Sequence, residues 1–184
     1  MVVVDSRDEQ LVLVSGPSRG GKSRWAEHLL KSSPAVTYIA TSARRPDDVD
    51  WQKRLQLHRE RRPEHWVLLE CEADLVSALN EIEANSDVLI DSLGGFVAWH
   101  LEATDHHWEC LVVGLLERLA TMRCLCVLVV EETGWGVVPA TKIGGVFRDR
   151  LGALAQRLDC QASRSWLVLQ GRAVDLHAIS CPVP

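Results

Sequence analysis

The stretch Leu11-Val12-Leu13-Val14-Ser15-Gly16-Pro17-Ser18-Arg19-Gly20-Gly21-Lys22-Ser23 decides how this chain folds. Its apolar opening shows no polar alternation and reads as a strand covered on both faces. The pattern Gly-x-x-x-x-Gly-Lys-Ser, from Gly16 to Ser23, follows at once, and Arg24 to Lys31 continues as an amphipathic helix. Strand, glycine loop and helix in that order form a P-loop, a phosphate-binding turn. Small residues let backbone N–H groups curl around the anion, and the helix N-terminus adds the positive end of its dipole. In such a loop Lys22 reaches the β- and γ-phosphates, and the Ser23 hydroxyl ligates Mg²⁺. Gly16, Pro17, Ser18, Arg19, Gly20, Gly21, Lys22 and Ser23 are therefore candidate nucleotide-binding residues. The plainer reading, a glycine-rich surface turn beside an ordinary lysine, does not account for the flanking elements.

Outward from this loop, apolar runs alternate with helical patterns. Strands are expected at Leu11–Ser15, Thr37–Ala40, Trp66–Cys71, Asp87–Asp91, Cys124–Val130 and Trp166–Gln170. Helices are expected at Ser23–Lys31, Asp47–Arg62, Ala73–Ala84, Gly95–Ala103, Trp108–Arg123 and Ala140–Cys160. Continuous apolar strands alternating with helices imply an α/β fold of the P-loop NTPase type: a mostly parallel sheet with helices on both faces. No internal repeat or low-complexity linker interrupts the 184 residues, which suit one domain, with residues 1–10 and 177–184 as flexible ends.

Composition narrows the function. A net charge of −5 supplies no general basic field for nucleic acid, so no nucleic-acid partner is expected. No apolar run approaches the roughly 18 residues of a membrane span. The acidic residues near Met1 do not suit a signal peptide. Six cysteines occur with no Cys-x-x-Cys pair. Cys124 and Cys126, two apart in a strand, share one face and read as small core residues rather than metal ligands. Free thiols of this kind point to the cytoplasm.

Ligands of open α/β sheets bind beyond the carboxyl ends of the strands. Thr41 and Ser42 follow the second strand, Glu70 ends the third, Asp91 the fourth, and Glu131 and Glu132 the fifth. Asp91 is a candidate to hold Mg²⁺ or its waters, or else it caps the next helix. A second signal is the segment Arg54-Leu55-Gln56-Leu57-His58-Arg59-Glu60-Arg61-Arg62-Pro63-Glu64-His65-Trp66. A cationic helix stripe is commonly a solvated face. Arginines also grip phosphates bidentately, and a histidine among them is disfavoured as imidazolium and suited to act as a nucleophile.

These residues resemble one family. The loop with Arg24 and Ala26-Glu27, then Tyr38-Ile39-Ala40-Thr41-Ser42, then Arg54-x-x-x-His58-x-x-x-Arg62-Pro63-x-x-Trp66 are similar to the bifunctional adenosylcobinamide kinase / adenosylcobinamide-phosphate guanylyltransferases. Val88-Leu89-Ile90-Asp91-Ser92-Leu93, the segment Glu132-Thr133-Gly134-Trp135-Gly136-Val137-Val138-Pro139, and Phe147-Arg148-Asp149 with Gly152 and Gln156-Arg157-Leu158 extend the match to about Gly171.

The resemblance implies an enzyme of corrinoid (cobalamin) biosynthesis. It would phosphorylate the aminopropanol hydroxyl of adenosylcobinamide with ATP or GTP, then transfer GMP from GTP to that phosphate through a guanylylated histidine. The matching histidine is His58, with Lys22 as the second catalytic residue. Ala40, Thr41, Ser42, Arg59, Glu60, Arg61, Arg62, Glu70 and Asp91 would complete the nucleotide site, and Ser23 and Asp91 would hold Mg²⁺. Glu70 and Asp91 are rivals for the guanine N1–H and 2-amino donors. A homo-oligomer, specifically a trimer, is implied. The chain departs from the family pattern at Glu131, Gly94, Trp99 and Ala155. Its seven tryptophans, Trp99 and Trp135 among them, read as core and subunit contacts before corrinoid stacking. Two other functions fit a P-loop chain: a small-molecule kinase without nucleotidyl transfer, and a nucleotide-binding regulator without catalysis.

Overall fold

A computed structural model describes residues 10–44, 46–83, 85–136 and 139–183, without the side chain of Arg54. The tail before residue 10, Arg45, Ala84, Val137, Val138 and Pro184 lie outside the described residues. In chain order the elements are β1 (Leu11–Gly16), α1 (Lys22–Leu29), β2 (Val36–Ala40), α2 (Val49–Arg61), β3 (Val67–Glu70), α3 (Leu75–Asn80) and β4 (Asp87–Asp91). They continue with α4 (Leu93–Trp99), α5 (Asp105–Thr121), β5 (Cys126–Glu131), α6 (Lys142–Asp159), β6 (Arg164–Leu169), β7 (Arg172–Asp175) and α7 (Leu176–Ile179).

The strands form one sheet in the order β3-β2-β4-β5-β1-β6-β7, parallel except for the β6–β7 pair. Alternate side chains of β1 feed two cores. Leu11 and Leu13 join Ile90, Leu128 and the apolar faces of α3, α4, α5 and α6. Val12 and Val14 join Leu89, Val127, Val129 and Ala26 of α1 on the opposite face. Each such buried aliphatic side chain contributes about 1.5–3 kcal/mol. Helices thus cover both faces unequally, and α2 has no buried residue among those described.

Side-chain caps set where the helices begin. The carboxylates of Asp48 and Asp74 accept from Trp51 and Ser77 N–H, and the hydroxyls of Thr104 and Thr141 accept from His107 and Gly144 N–H. At the C-terminal end the structure departs from expectation. The chain turns through Gln170 and Gly171, both at positive φ, into the antiparallel strand β7, a two-residue hairpin turn. Beyond β7 the chain continues as α7, where Asp175 accepts from Ala178 N–H. Among the described residues no helix is long and apolar enough to cross a membrane.

Candidate active site

The glycine loop sits between β1 and α1, wedged against β6. Gly16 has φ 146°, and a Cβ there would fall on the Val168 carbonyl oxygen, so only glycine lets the loop lie this close to β6. Gly21, at φ 110°, is the N-cap of α1 and supplies no side-chain cap. The amides that open α1 are therefore presented as an anion site is. Arg19 also holds a positive φ, of 58°. Lys22 is buried, and its ammonium folds back to donate to the Pro17 carbonyl at 2.9 Å. The loop's far side is tied down where Gly171 N–H donates to the Gly20 carbonyl at 2.9 Å.

Strand register places the carboxyl-end residues in a row. Glu70 pairs with Ala40, Ala40 with Asp91, Asp91 with Val129, and Glu131 with Gly16. Asp91 shares parity with Leu89 and so projects from the face that carries α1. Its Oδ2 accepts from the Tyr38 hydroxyl at 3.1 Å. Burial, then the Asp91 charge, push the Tyr38 phenol well above its ordinary pKa. Asp91 is not the cap of α4: that position is Ser92, and the acceptor for the first turn is Glu131, whose Oε2 takes Gly94 N–H at 3.0 Å. Glu131 Oε1 accepts from the Ser92 hydroxyl as well. A Cβ at Gly94 would stand 2.5 Å from Glu131 Oε2. Gly94 and Glu131, two of the positions expected to depart from the resembled family's pattern, are thus one interlocked contact. A third, Trp99, donates its indole N–H to the Thr41 carbonyl at 2.9 Å. Thr41 is fully buried and gives its hydroxyl to the Ser92 carbonyl, while Ser42 stays half-buried at the strand end. Glu70 pairs with Arg44 at 2.6 Å near the outer edge of the sheet.

The arginine-rich arm is α2 and the turn after it. His58, Arg61 and Arg62 lie on one side of α2, toward α1 and the sheet. Arg61 Nη2 donates to His58 Nδ1 at 3.2 Å and is 3.2 Å from Glu27 Oε1 on α1. Arg61 Nε donates to Glu27 Oε2 at 3.3 Å. Burial raises the Glu27 carboxyl above its ordinary pKa, and the Arg61 hydrogen bond and charge offset part of that. Arg62 Nε donates to the His58 carbonyl at 2.9 Å, and its guanidinium lies 3.8 Å over the Tyr38 ring. Glu27, Tyr38, His58, Arg61, Arg62 and Asp91 therefore form one connected cluster beside the P-loop helix.

Other expected site residues stand elsewhere. Arg59 lines a groove of about 330 Å³ with Val49, Gln52, Lys53, Leu55 and Gln56, away from the His58 side. Glu60 accepts from Gln56 at 2.9 Å on the exposed face. His65 is exposed in the turn before β3. Trp99 and Trp135 are 40% and 61% exposed, which removes them from the core. Sequence reasoning gave no role to Glu27 or Tyr38. A glutamate in the helix after a phosphate loop, and the chain's only tyrosine in an apolar strand, were the available signals.

The family profile described as cobinamide kinase / cobinamide phosphate guanyltransferase matches residues 12–176. The chain is 32% identical to the bifunctional adenosylcobalamin biosynthesis protein CobU of Escherichia coli K12, over 90% of this chain and 99% of that one. It is 33% identical to the protein of that name from Salmonella typhimurium, with the same coverage. It is 35% identical to the bifunctional adenosylcobalamin biosynthesis protein CobP of Pseudomonas aeruginosa, over 89% and 95%. A solved structure from Pyrococcus horikoshii OT3 shares the fold at TM-score 0.53 and 6% identity, covering 91% of this chain and 85% of that one. The chain belongs to the cobinamide kinase / cobinamide phosphate guanyltransferase family.

Proposed function

We propose that this chain is a bifunctional enzyme of cobalamin biosynthesis. It phosphorylates adenosylcobinamide with ATP or GTP, then transfers GMP from GTP to the new phosphate through a guanylylated His58. The observation that carries the reading is the single cluster joining the P-loop helix to the histidine arm, through Glu27, Arg61 and His58.

The chemistry follows from the residues. The loop from Gly16 to Ser23 binds the triphosphate with its backbone N–H groups, and Lys22 offsets charge on the β- and γ-phosphates. In the kinase step the corrinoid hydroxyl oxygen attacks the γ-phosphorus and the nucleoside diphosphate leaves. In the second reaction a neutral imidazole nitrogen of His58 attacks the α-phosphorus of GTP and pyrophosphate leaves. An oxygen of the corrinoid phosphate then attacks the phosphoramidate and frees His58. The arm must bring the His58 imidazole from the flank of α1 to the α-phosphate, a local adjustment of α2 and its flanking loops.

Mg²⁺ suits these residues. It prefers hard oxygen donors and keeps most of its shell for water and phosphate. The Ser23 hydroxyl and the Asp91 carboxylate, which lies on the sheet face that carries α1, are such donors. When bound to these donors, Mg²⁺ would neutralise triphosphate charge. Arg62 serves the nucleotide from above Tyr38, and Glu70 and Asp91 are the acceptors available to guanine. The enzyme acts in the cytoplasm as a homo-oligomer, specifically a trimer. Support for self-association, though not for its number of subunits, comes from the edge strand β3, where Val67 is 62% exposed beside exposed Leu68, and from exposed Val49 and Leu57 on α2.

Turnover tests the proposal. With adenosylcobinamide, ATP, GTP and Mg²⁺, the enzyme should yield adenosylcobinamide phosphate, then adenosyl-GDP-cobinamide with release of pyrophosphate. Phosphorylation without GMP transfer would reduce it to a small-molecule kinase.

A further inference from the structure

Resting on the reading of His58 as nucleophile, we infer that Arg61 is a positioning residue anchored by Glu27, and that Nδ1 of His58 receives the guanylyl group. Arg61 Nη2 lies 3.2 Å from His58 Nδ1. A guanidinium has only donors, so Nδ1 must present its lone pair and the imidazole proton sits on Nε2. A neutral imidazole has one nucleophilic nitrogen, the unprotonated one. The contact therefore selects the tautomer and with it the attacking atom.

The same guanidinium is held from the other side. Glu27 Oε2 and Oε1 accept from Arg61 Nε and Nη2 at 3.3 and 3.2 Å. The Glu27 side chain is only 12% exposed, and Arg61 is the cation that makes its burial tolerable. Since α1 starts at Lys22, one guanidinium sets the place of His58 relative to the triphosphate loop. The neighbouring arginine does a different job: Arg62 Nε binds the His58 carbonyl at 2.9 Å and fixes the backbone.

The step balances as follows. The Nδ1 lone pair bonds to the α-phosphorus, the bond from phosphorus to the pyrophosphate oxygen breaks, and pyrophosphate departs. The Nε2 proton passes to solvent. Arg61 withdraws its N–H from Nδ1 and remains on the two Glu27 oxygens. This differs from a phosphate-gripping role, in which Arg61 would tighten GTP binding and the nearby Glu27 charge would oppose it.

The test compares Arg61→Ala, Arg61→Lys and Glu27→Gln with the unaltered protein. Single-turnover formation of the GMP adduct is measured at saturating α-labelled GTP, GTP affinity is measured at equilibrium, and NMR identifies the modified ring nitrogen. Arg61→Ala and Glu27→Gln should slow adduct formation about 10–100-fold, as misplacement of a reacting group does. GTP affinity should stay within about threefold, which also shows that the variants fold. Arg61→Lys should recover part of the rate, and the adduct should sit on Nδ1. Weakened GTP binding with an unchanged adduct rate, an unaffected Glu27→Gln variant, or an adduct on Nε2 would overturn the inference. Absence of any His58 adduct in the unaltered protein would instead overturn the nucleophile reading on which it rests.

Discussion

Gly94 and Glu131 should behave as one unit, and a double-mutant cycle measures it. A Cβ at position 94 would lie 2.5 Å from Glu131 Oε2, 2.8 Å from its Cδ and 3.0 Å from Oε1. Gly94→Ala must therefore expel the carboxylate from the start of α4. Two charge-assisted hydrogen bonds, from Gly94 N–H and the Ser92 hydroxyl, are then lost. Bonds to charged groups contribute about 1.5–3 kcal/mol each when buried. Glu131 is half-buried and water recovers much of this, so a combined loss of about 2 kcal/mol is expected. The better helix propensity of alanine returns up to about 1 kcal/mol. The net loss of about 1–2 kcal/mol should lower Tm by roughly 2–8 °C in a domain of this size. In a Glu131→Ala background the obstruction is gone, and Gly94→Ala should become neutral or stabilising by up to about 1 kcal/mol. Urea unfolding of the four proteins gives the coupling energy, expected near 2 kcal/mol. Strict additivity, or a Gly94→Ala protein as stable as the parent, would refute the interlock.

Lys22→Ala should cut both activities by about 10²-fold or more, since it removes charge stabilisation at the β- and γ-phosphates; near-normal guanylylation in the folded variant would show that the loop is not the triphosphate site. Asp91→Asn should raise the Mg²⁺ requirement if the carboxylate serves the metal, or weaken discrimination of GTP against ATP if it serves guanine, and no change in either assay would reduce it to a partner of Tyr38. Tyr38 is the only tyrosine, so tyrosinate absorbance reports it alone. Its folded pKa lies well above the ordinary 10.0, so its contribution to stability is fully present below pH 10 and is lost as pH rises beyond it. The tyrosinate signal should therefore appear together with unfolding, and a native-state titration near pH 10 would contradict the buried contact with Asp91.

The strands β1 and β4 were legible because unbroken apolar runs between turn signals leave few alternatives, and Asp87–Asp91 was placed to the residue. The strand β7 was not, because its turn uses Gln170-Gly171 rather than Asn-Gly or Asp-Gly, and its four residues carry only weak alternation. The glycine loop and the basic arm were visible as local patterns. What joins them was not: Glu27 and Arg61 are 34 residues apart, and nothing in either segment names the other. Helical spacing, four residues from Arg54 to His58 and four more to Arg62, put those three on one face, but it did not single out Arg61, and charge alone did not separate the arm's inward residues from Arg59 and Glu60, which face outward. Thr41 was placed at a strand end by the sequence, but the sequence did not show that its hydroxyl bonds the Ser92 carbonyl at the start of α4.

Covalent labelling tests the central claim most directly. The protein is incubated with α-labelled GTP and Mg²⁺, quenched, and treated separately with acid and base. A histidine phosphoramidate is acid-labile and base-stable, so the label should survive base, be lost in acid, and map to His58. His58→Ala should abolish it while nucleotide binding stays within a few-fold. Label on His65, or label retained in His58→Ala, would contradict the account.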